Sequence, residues 1–533
     1  MRVRLLSCTV YVLLVEPATS LSSEEAYQVC HNSWSAISLQ QRRASFGKRE
    51  LISRVPPTSP SGISDHMTGM LSAFALSLAT GRSFRIDWPA LRETFDCPRP
   101  GLGRGIFLND TERVALTRRV AQAQVTNEVL SPSADPSFGN PAQPDGFQFF
   151  DWHPRGADQV GDELQLSSSL NSTFSGSSVV VQGRHGVLDR AFAELSELLS
   201  KKKGKTAKSK LQRQLLGGAL ANLGLTQRNA FGCLYHYLLV PKIELLEPYQ
   251  LALRKINASK VSIALHIRTG DEAIARIAPD GSLRPSRLAE KLLDGPMYDG
   301  YTGARNLAPA RSFPECAQTL ESLMWKAVKD GSLVTGDHGR QKGDIVWFVA
   351  SDSAAMARAV VGEFDGGSIV NDNDDAWISR SVVPSPETEP LHSASWVHWK
   401  AQHNVGMAKN EAKLPRADVE AFESGITRAL LRAATGALLD QYVLGECDAH
   451  VLSPFSGFSR VGHAIALGRS SSRRGDSSGL YSADVGSDKS FEHLGESYGP
   501  EERLQPIGAV VIPDTGACIK WDFYQVSRLG AMI

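Results

Sequence analysis

Apolar positions along this chain follow two periods, and the switches between them mark out elements. From Met67 to Thr80, Met67, Met70, Leu71, Phe74 and Leu78 recur at steps of three and four, which predicts a helix with one buried face. Gly81 stops that helix, and Ser83-Phe84-Arg85-Ile86-Asp87-Trp88 changes to the alternation of a strand. Pro56, Pro57 and Pro60 precede the unit and bar any helix from running into it. Val179-Val180-Val181 reads as a short buried strand.

The second half alternates more regularly. Apolar runs predict strands at Val261–Ile267, Ile345–Ala350, Gly367–Val370 and Ala449–Leu452, and helical periodicity falls at Pro314–Val328, Ala354–Glu363 and Val419–Leu439. Such alternation means βαβ units on a parallel sheet, whose ligands sit at the carboxyl ends of the strands. Two stretches interrupt the order: residues 131–145, with Pro132, Pro136, Pro141 and Pro144, read as loop, and residues 468–490, rich in Ser, Gly, Arg and Asp, read as a flexible insertion. A chain of 533 residues exceeds what one hydrophobic core organises, so two lobes are expected.

Composition excludes several classes. Hydrophobic residues make up 42% and charged residues 21%, ordinary for a globular chain. Lys plus Arg equals Asp plus Glu at 57 each, so no global field draws the protein to nucleic acid or anionic membrane, and any anion site must be local. The basic run from Lys201 to Lys210 reads as a solvated loop or helix end.

The amino terminus has the layout of a signal peptide: Met-Arg-Val-Arg, the apolar run Leu5–Val15, then Ala18-Thr19-Ser20. Cleavage near Ser20 is expected, with a short membrane anchor as the alternative; no later segment reads as membrane-spanning. Six cysteines then remain, Cys30, Cys97, Cys233, Cys316, Cys447 and Cys518, an even set suited to an oxidising lumen, with their pairing left open. Glycosylation sequons at Asn109, Asn171 and Asn257 agree with that compartment, so a secretory location (Golgi or endoplasmic reticulum, or secreted) is expected.

Three segments carry candidate chemistry. The apolar strand through Leu265 ends in His266-Ile-Arg268-Thr-Gly270-Asp271-Glu272. His266 and Arg268, two apart, leave a strand on the same face, and a guanidinium there can grip a diphosphate through paired hydrogen bonds; alternatively Arg268 pairs with Asp271 or Glu272 to close the turn. The strand through Ala350 ends in Ser351-Asp352-Ser353, where Asp352 either binds a ligand or caps the next helix. The third runs from Asp440 through Asp448 to Ser456-Gly457-Phe458-Ser459-Arg460: a helix ending near Asp440, a strand to Leu452, and a Ser/Gly loop opening a helix near Arg460, whose backbone amides suit phosphate oxygens.

These segments resemble, in order, the motifs of the α1,2-, α1,6- and protein O-fucosyltransferase superfamily. Ser61-Gly62-Ile63-Ser64-Asp65-His66, with Thr80-Gly81-Arg82 through Trp88, is similar to the family's amino-terminal Gly-x-Gly-Asp-Arg element. His266-Ile-Arg268 resembles its His-x-Arg peptide, and Asp440, Asp448, Ser456 and Arg460 keep the spacing of the third motif in the α1,6 branch. Ser64 stands where the second glycine is usual and His66 where arginine is; the second arginine and the lysine of the α1,6 peptide are absent.

The resemblance implies an α/β, GT-B-like fold: two Rossmann-type lobes facing a central cleft, an acceptor-side lobe over residues 21–250 and a nucleotide-sugar lobe over 251–533. It implies GDP-fucose as donor and a glycan or protein hydroxyl as acceptor. Arg268 would hold the diphosphate, His266 and Asp440 would surround the guanosine, Ser456 would contact phosphate, and Asp352 matches the middle motif.

Asp271 and Glu272 are the nearest candidate bases for an inverting transfer, with Asp65 and Asp87 also open. Arginine and helix amides make a divalent metal unnecessary, so no metal or other cofactor is expected. Asp372-Asn373-Asp374-Asp375, an Asp-x-Asp pattern, reads as solvated loop, and His392, His398 and His403 lack metal-ligand spacing. The competing expectation is a non-catalytic glycan-binding or scaffold protein on a degenerate transferase fold, suggested by Ser64 and His66.

Overall fold

A computed structural model of the chain describes residues 23–55, 62–97, 105–130, 145–152, 175–183, 216–227, 229–259, 261–267, 311–329, 345–351, 354–369, 378–386, 431–453, 456–469, 507–511 and 518–521. It also describes short pieces between 188 and 195 and at 276–277 and 283–284. In chain order the strands are β1 (Glu50–Arg54), β2 (Ser83–Asp87), β3 (Phe95–Asp96), β4 (Phe147–Trp152), β5 (Ser178–Gly183), β6 (Val240–Pro241) and β7 (Val261–Ile267). They continue with β8 (Arg276–Ile277), β9 (Leu283–Arg284), β10 (Ile345–Ser351), β11 (Ser368–Ile369), β12 (Ile378–Pro384), β13 (Ala449–Leu452), β14 (Ile507–Val511) and β15 (Cys518–Trp521).

Two main sheets result, beside the two-stranded pairings β3–β6 and β8–β9, and this is the α/β class with two Rossmann-type units. The first has the order β2-β1-β5-β4 and is wholly parallel. Its strands carry apolar residues on both faces, as buried parallel strands do. Leu51, Val179 and Val181 face the core under the Ile63–Thr80 helix, while Ile52, Val180 and Phe149 face Leu116, Val120 and Ala123 of the Asp110–Leu130 helix. The second sheet has the order β11-β12-β10-β7-β13-β14-β15; its five inner strands are parallel and the edge strands β11 and β15 are antiparallel. Ile263 and Leu265 of β7 pack on one face with Phe313 and Ala317, and Ala264 packs on the other with Leu439 and Val443.

The predicted helix at Met67–Thr80 spans Ile63–Thr80, and Gly81 ends it in the left-handed region at φ 61°, which a side chain would strain. The next residue, Arg82, is fully buried and donates Nη1 to the Gly176 carbonyl at 2.7 Å, tying the helix end to the loop before β5. Burial, with Arg49 nearby, pulls its guanidinium down to about 10. The predicted strands at 261–267, 345–350 and 449–452 form as read; the one at 367–370 shortens to β11, an antiparallel edge. The helix expected to end near Asp440 continues to residue 444, and the one expected to open near Arg460 starts at Gly457 and runs to Arg469. Residues 468 and 469 are therefore helical, while the rest of the predicted insertion, the 131–144 loop and the lysine run lie outside the described residues. No helix among the described residues is long and apolar enough to cross a membrane.

The two sheets are joined by helices that belong to both cores. In the 431–444 helix, Leu438 packs with the first sheet's core while Leu439, Val443 and Leu444 pack under the second sheet. The Gly457–Arg469 helix follows β13 of the second sheet, yet Val461, Ala464 and Ile465 lie in the first core. It crosses the Ala230–Leu238 helix where Gly232 meets Gly468: a Cβ on Gly232 would fall 2.3 Å from the Gly468 nitrogen. Cys30 and Cys233 form a disulfide beside this crossing, and Trp34 Nε1 donates to the Cys233 carbonyl at 2.8 Å. Cys316 is also disulfide-bonded, whereas Cys97 and Cys447 are in no disulfide. Because backbone meets backbone at the crossing, Gly232→Ala should cost about 1–3 kcal/mol of stability in urea unfolding. Gly105→Ala, which opens onto empty space, should cost far less.

Candidate active site

The chain order of the second sheet locates its ligand crevice. From β7 the chain builds outward through β10 and β12 on one side, then returns to place β13 and β14 on the other. The connections leaving the carboxyl ends of β7 and β13 therefore diverge, and in an open parallel sheet such a switch point is where ligands bind.

His266, one residue from the end of β7, stands at that point. It is buried, and its ring stacks on Phe458 with centroids 4.9 Å apart and planes 27° apart. Its carbonyl accepts a hydrogen bond from Ser453 Oγ at 2.9 Å, so the first residue after β13 is fastened to the end of β7. The loop that follows is held by its own serines: Ser456 N–H donates to the Ser453 carbonyl at 3.2 Å, and Ser459 Oγ lies 3.4 Å and 3.3 Å from the carbonyls of Ser453 and Ser456. Ser456 precedes the first turn of the Gly457–Arg469 helix, where backbone amides lack intrahelical acceptors and the helix dipole presents positive charge. Its hydroxyl is fully buried and has no hydrogen-bond partner among the described residues. A buried hydroxyl without a partner is costly, and at a helix amino terminus it suits an anionic oxygen. Arg460, half-buried one turn on, keeps Nη2 3.8 Å from the point a Gly457 Cβ would occupy. The structure thus gathers His266, Ser456 and Arg460 at one rim.

The first sheet contributes a second helix amino terminus to the same place. Ser64 and Asp65, in the first turn of the Ile63–Thr80 helix, reach Gly457; a Cβ there would meet Ser64 Cβ at 3.3 Å and Asp65 Oδ1 at 3.5 Å. His66 is buried edge-on to Trp88 at 5.9 Å. Asp87 lies between two guanidinium groups, Arg54 and Arg113, at 3.3 Å each, and burial outweighs both to hold its carboxyl above the ordinary range. Asp87 is thus committed to ion pairs, and Asp65 is the candidate base of this lobe that stands by the crevice.

Asp440 occupies a different niche. Its Oδ1 accepts from Tyr249 Oη at 2.8 Å and from Ser385 Oγ at 2.5 Å, just beyond the end of β12. Burial pushes its carboxyl up to about 7, opposed by those two hydrogen bonds. Asp448 sits at the opposite, amino end of the sheet, where its Oδ2 accepts from Ser262 N–H and Oγ at 3.0 and 2.7 Å and pins β13 to β7. Arg268, Asp271, Glu272, Asp352, the Asp372–Asp375 run and His392, His398 and His403 lie outside the described residues. Sequence reasoning passed over Phe458, Ser453 and Gln441; only their proximity in sequence to Ser456 and Asp440 could have flagged them.

Comparison with known proteins finds no matching family model and no matching curated protein. Among solved structures, the chain is similar to an Arabidopsis thaliana FUT1 mutant in complex with GDP, at 12% identity and a TM-score of 0.43 over 93% of this chain and 81% of that one. It is also similar to fucosyltransferase NodZ from Bradyrhizobium, at 14% identity and a TM-score of 0.32 over 78% of this chain and 92% of that one. NodZ α-1,6-fucosyltransferase soaked with GDP-fucose gives 13% identity and a TM-score of 0.33 over the same shares.

The raised Asp440 carboxyl has a consequence for stability. A carboxyl whose folded value lies above its unfolded one favours the folded state below pH 4, and that contribution is lost as pH rises through about 7. Asp440→Asn should remove this slope, so the variant gains on the wild type, by a few kcal/mol (~1.4 kcal/mol per pH unit), between about pH 4 and 7. Urea midpoints measured across that interval check it; parallel curves for the two proteins would refute it.

Proposed function

We propose that this chain is an inverting glycosyltransferase that moves fucose from GDP-fucose to a hydroxyl of a glycan or protein in the lumen of the secretory pathway. The observation that carries the reading is the buried Ser456 hydroxyl, without a hydrogen-bond partner among the described residues, at a helix amino terminus beside His266 at the switch point of a parallel sheet. That arrangement suits the phosphates of a nucleotide and leaves the flat imidazole and Phe458 ring next to them. The order of the motif-like peptides supplies the sugar: it resembles that of enzymes using GDP-fucose.

In this mechanism Arg268 and the helix amides take up the negative charge that develops on GDP as the bond between fucose C1 and the diphosphate oxygen breaks. The acceptor oxygen forms the new bond to C1 from the opposite face. Its proton passes to a carboxylate, Asp271 in our assignment, with Asp65 of the facing helix as the alternative. Arginine and amides meet the diphosphate charge, so the transfer runs without a divalent metal. The Cys30–Cys233 disulfide supports the luminal setting.

A second reading has its own observation. Asp87 is held in two ion pairs and His66 is packed on Trp88, so these first-motif positions serve packing. A chain that kept the lobes for binding alone would bind GDP without turning over its sugar.

A screen of purified protein against nucleotide sugars separates the two. Wild type should turn over GDP-fucose, and chelator should leave the rate unchanged. Arg268→Ala should lower kcat/KM by at least ~100-fold, and Ser456→Ala by about tenfold. Undiminished activity in Arg268→Ala refutes the site, and GDP binding without turnover selects the binding protein.

A further inference from the structure

The proposed donor site is built from two lobes, and one buried contact fastens them at its edge. Gln441 follows Asp440 on the 431–444 helix, but the two side chains point to different lobes. Asp440 is held by Tyr249 and Ser385 on the second-sheet side; Gln441, 1% exposed, donates Nε2 to Ser64 Oγ at 2.5 Å in the first turn of the Ile63–Thr80 helix. Ser64 is itself buried and lies where the Gly457 backbone approaches most closely, at 3.3 Å from the position of a Gly457 Cβ. The second amide atom of Gln441, Oε1, is buried and has no partner among the described residues. Among the described residues the side chain makes one hydrogen bond, to Ser64, and this bond and packing hold it in place.

We propose that Ser64 and Gln441 are a positioning pair for donor binding: their hydrogen bond sets the first turn of the Ile63–Thr80 helix against Gly457 and so fixes the amino end of the anion-binding helix relative to His266. The argument rests on the donor-site reading above. Three features of the contact lead to it. It spans 377 residues of sequence and joins the lobes directly. It stands beside the glycine that starts the anion-binding helix, where an added Cβ would fall 3.3 Å from Ser64 Cβ and require a shift of a few tenths of an ångström. The serine hydroxyl is also needed for it, because glycine at position 64 would remove the acceptor for Gln441 Nε2 in a buried contact. The residue that departs from the family-like pattern thus has a defined partner in this chain.

Near-isosteric variants test the pair with little risk to folding. In Ser64→Ala and Gln441→Met, Kd for GDP should rise about fivefold while the donor-saturated rate of sugar turnover stays unchanged, and the double variant should match either single one, since one bond is being removed. In the GDP-free full chain, hydrogen exchange at the amides of residues 459–462 should also quicken about fivefold in each variant. Additive effects in the double variant, or exchange no faster than wild type, overturn the pair. Faster exchange with an unaltered Kd overturns its positioning role. Wild-type protein that binds no GDP overturns the donor-site reading instead, and the exchange rates then decide the pair alone.

Discussion

One helix makes the site depend on the whole fold. The Gly457–Arg469 segment begins at the carboxyl edge of the second sheet, where its first-turn amides and Ser456 face the crevice beside His266. Its body is a core element of the first sheet, through Val461, Ala464 and Ile465. A helix is stiff over this length, so whatever holds its far end also aims its amino terminus. The far end is held at the Gly232–Gly468 crossing, where two backbones touch with no side chain between them, beside the Cys30–Cys233 disulfide. The chemistry of one lobe is thereby positioned by the packing of the other.

Polar groups follow the same economy of position. Asp448, Ser262 and Ser453 spend their hydrogen bonds on joining β13 to β7, at the amino and carboxyl ends respectively. Arg82 and Asp87, both in the stretch similar to the first family motif, serve the first lobe: one caps a loop through a carbonyl, the other sits in a pair of ion bridges. Among the described residues, the Ser456 hydroxyl at the crevice and Oε1 of Gln441 have no internal partner. A buried hydroxyl at a helix amino terminus suits an anionic oxygen locally, although the chain's net charge is zero.

Much of the architecture was legible in the pattern of residues. The strands at 261–267, 345–351 and 449–452 are continuous apolar runs because both faces of a parallel sheet are buried, and the Ile63–Thr80 helix declares itself by spacing and by the glycine at its end. Elements with weaker contrast escaped. In the Asp110–Leu130 helix only Leu116, Val120 and Ala123 among its described side chains are buried, a stripe too narrow to stand out from the polar residues around it. β1 is five residues long and starts in charge, and its place at the middle of the sheet comes from the strands on either side. The helix containing Asp440 runs one turn past its expected end because Val443 and Leu444 are taken up by the second sheet's core, a fact of packing that no local spacing carries.

Sequence by itself determined the class of fold and the identity of the peptides that end its central strands, because periodicity and chain order are local properties and each apolar run has one way to be buried. Tertiary structure alone decided which of those residues meet. It put Asp448 and His266 at opposite ends of β7, committed Asp440 to Tyr249 and Ser385, and brought Ser64 against Gln441 and Gly457 across hundreds of residues. The physical reason is that such contacts are set by how two finished sheets share a pair of helices, and that sharing depends on where glycines let backbones touch.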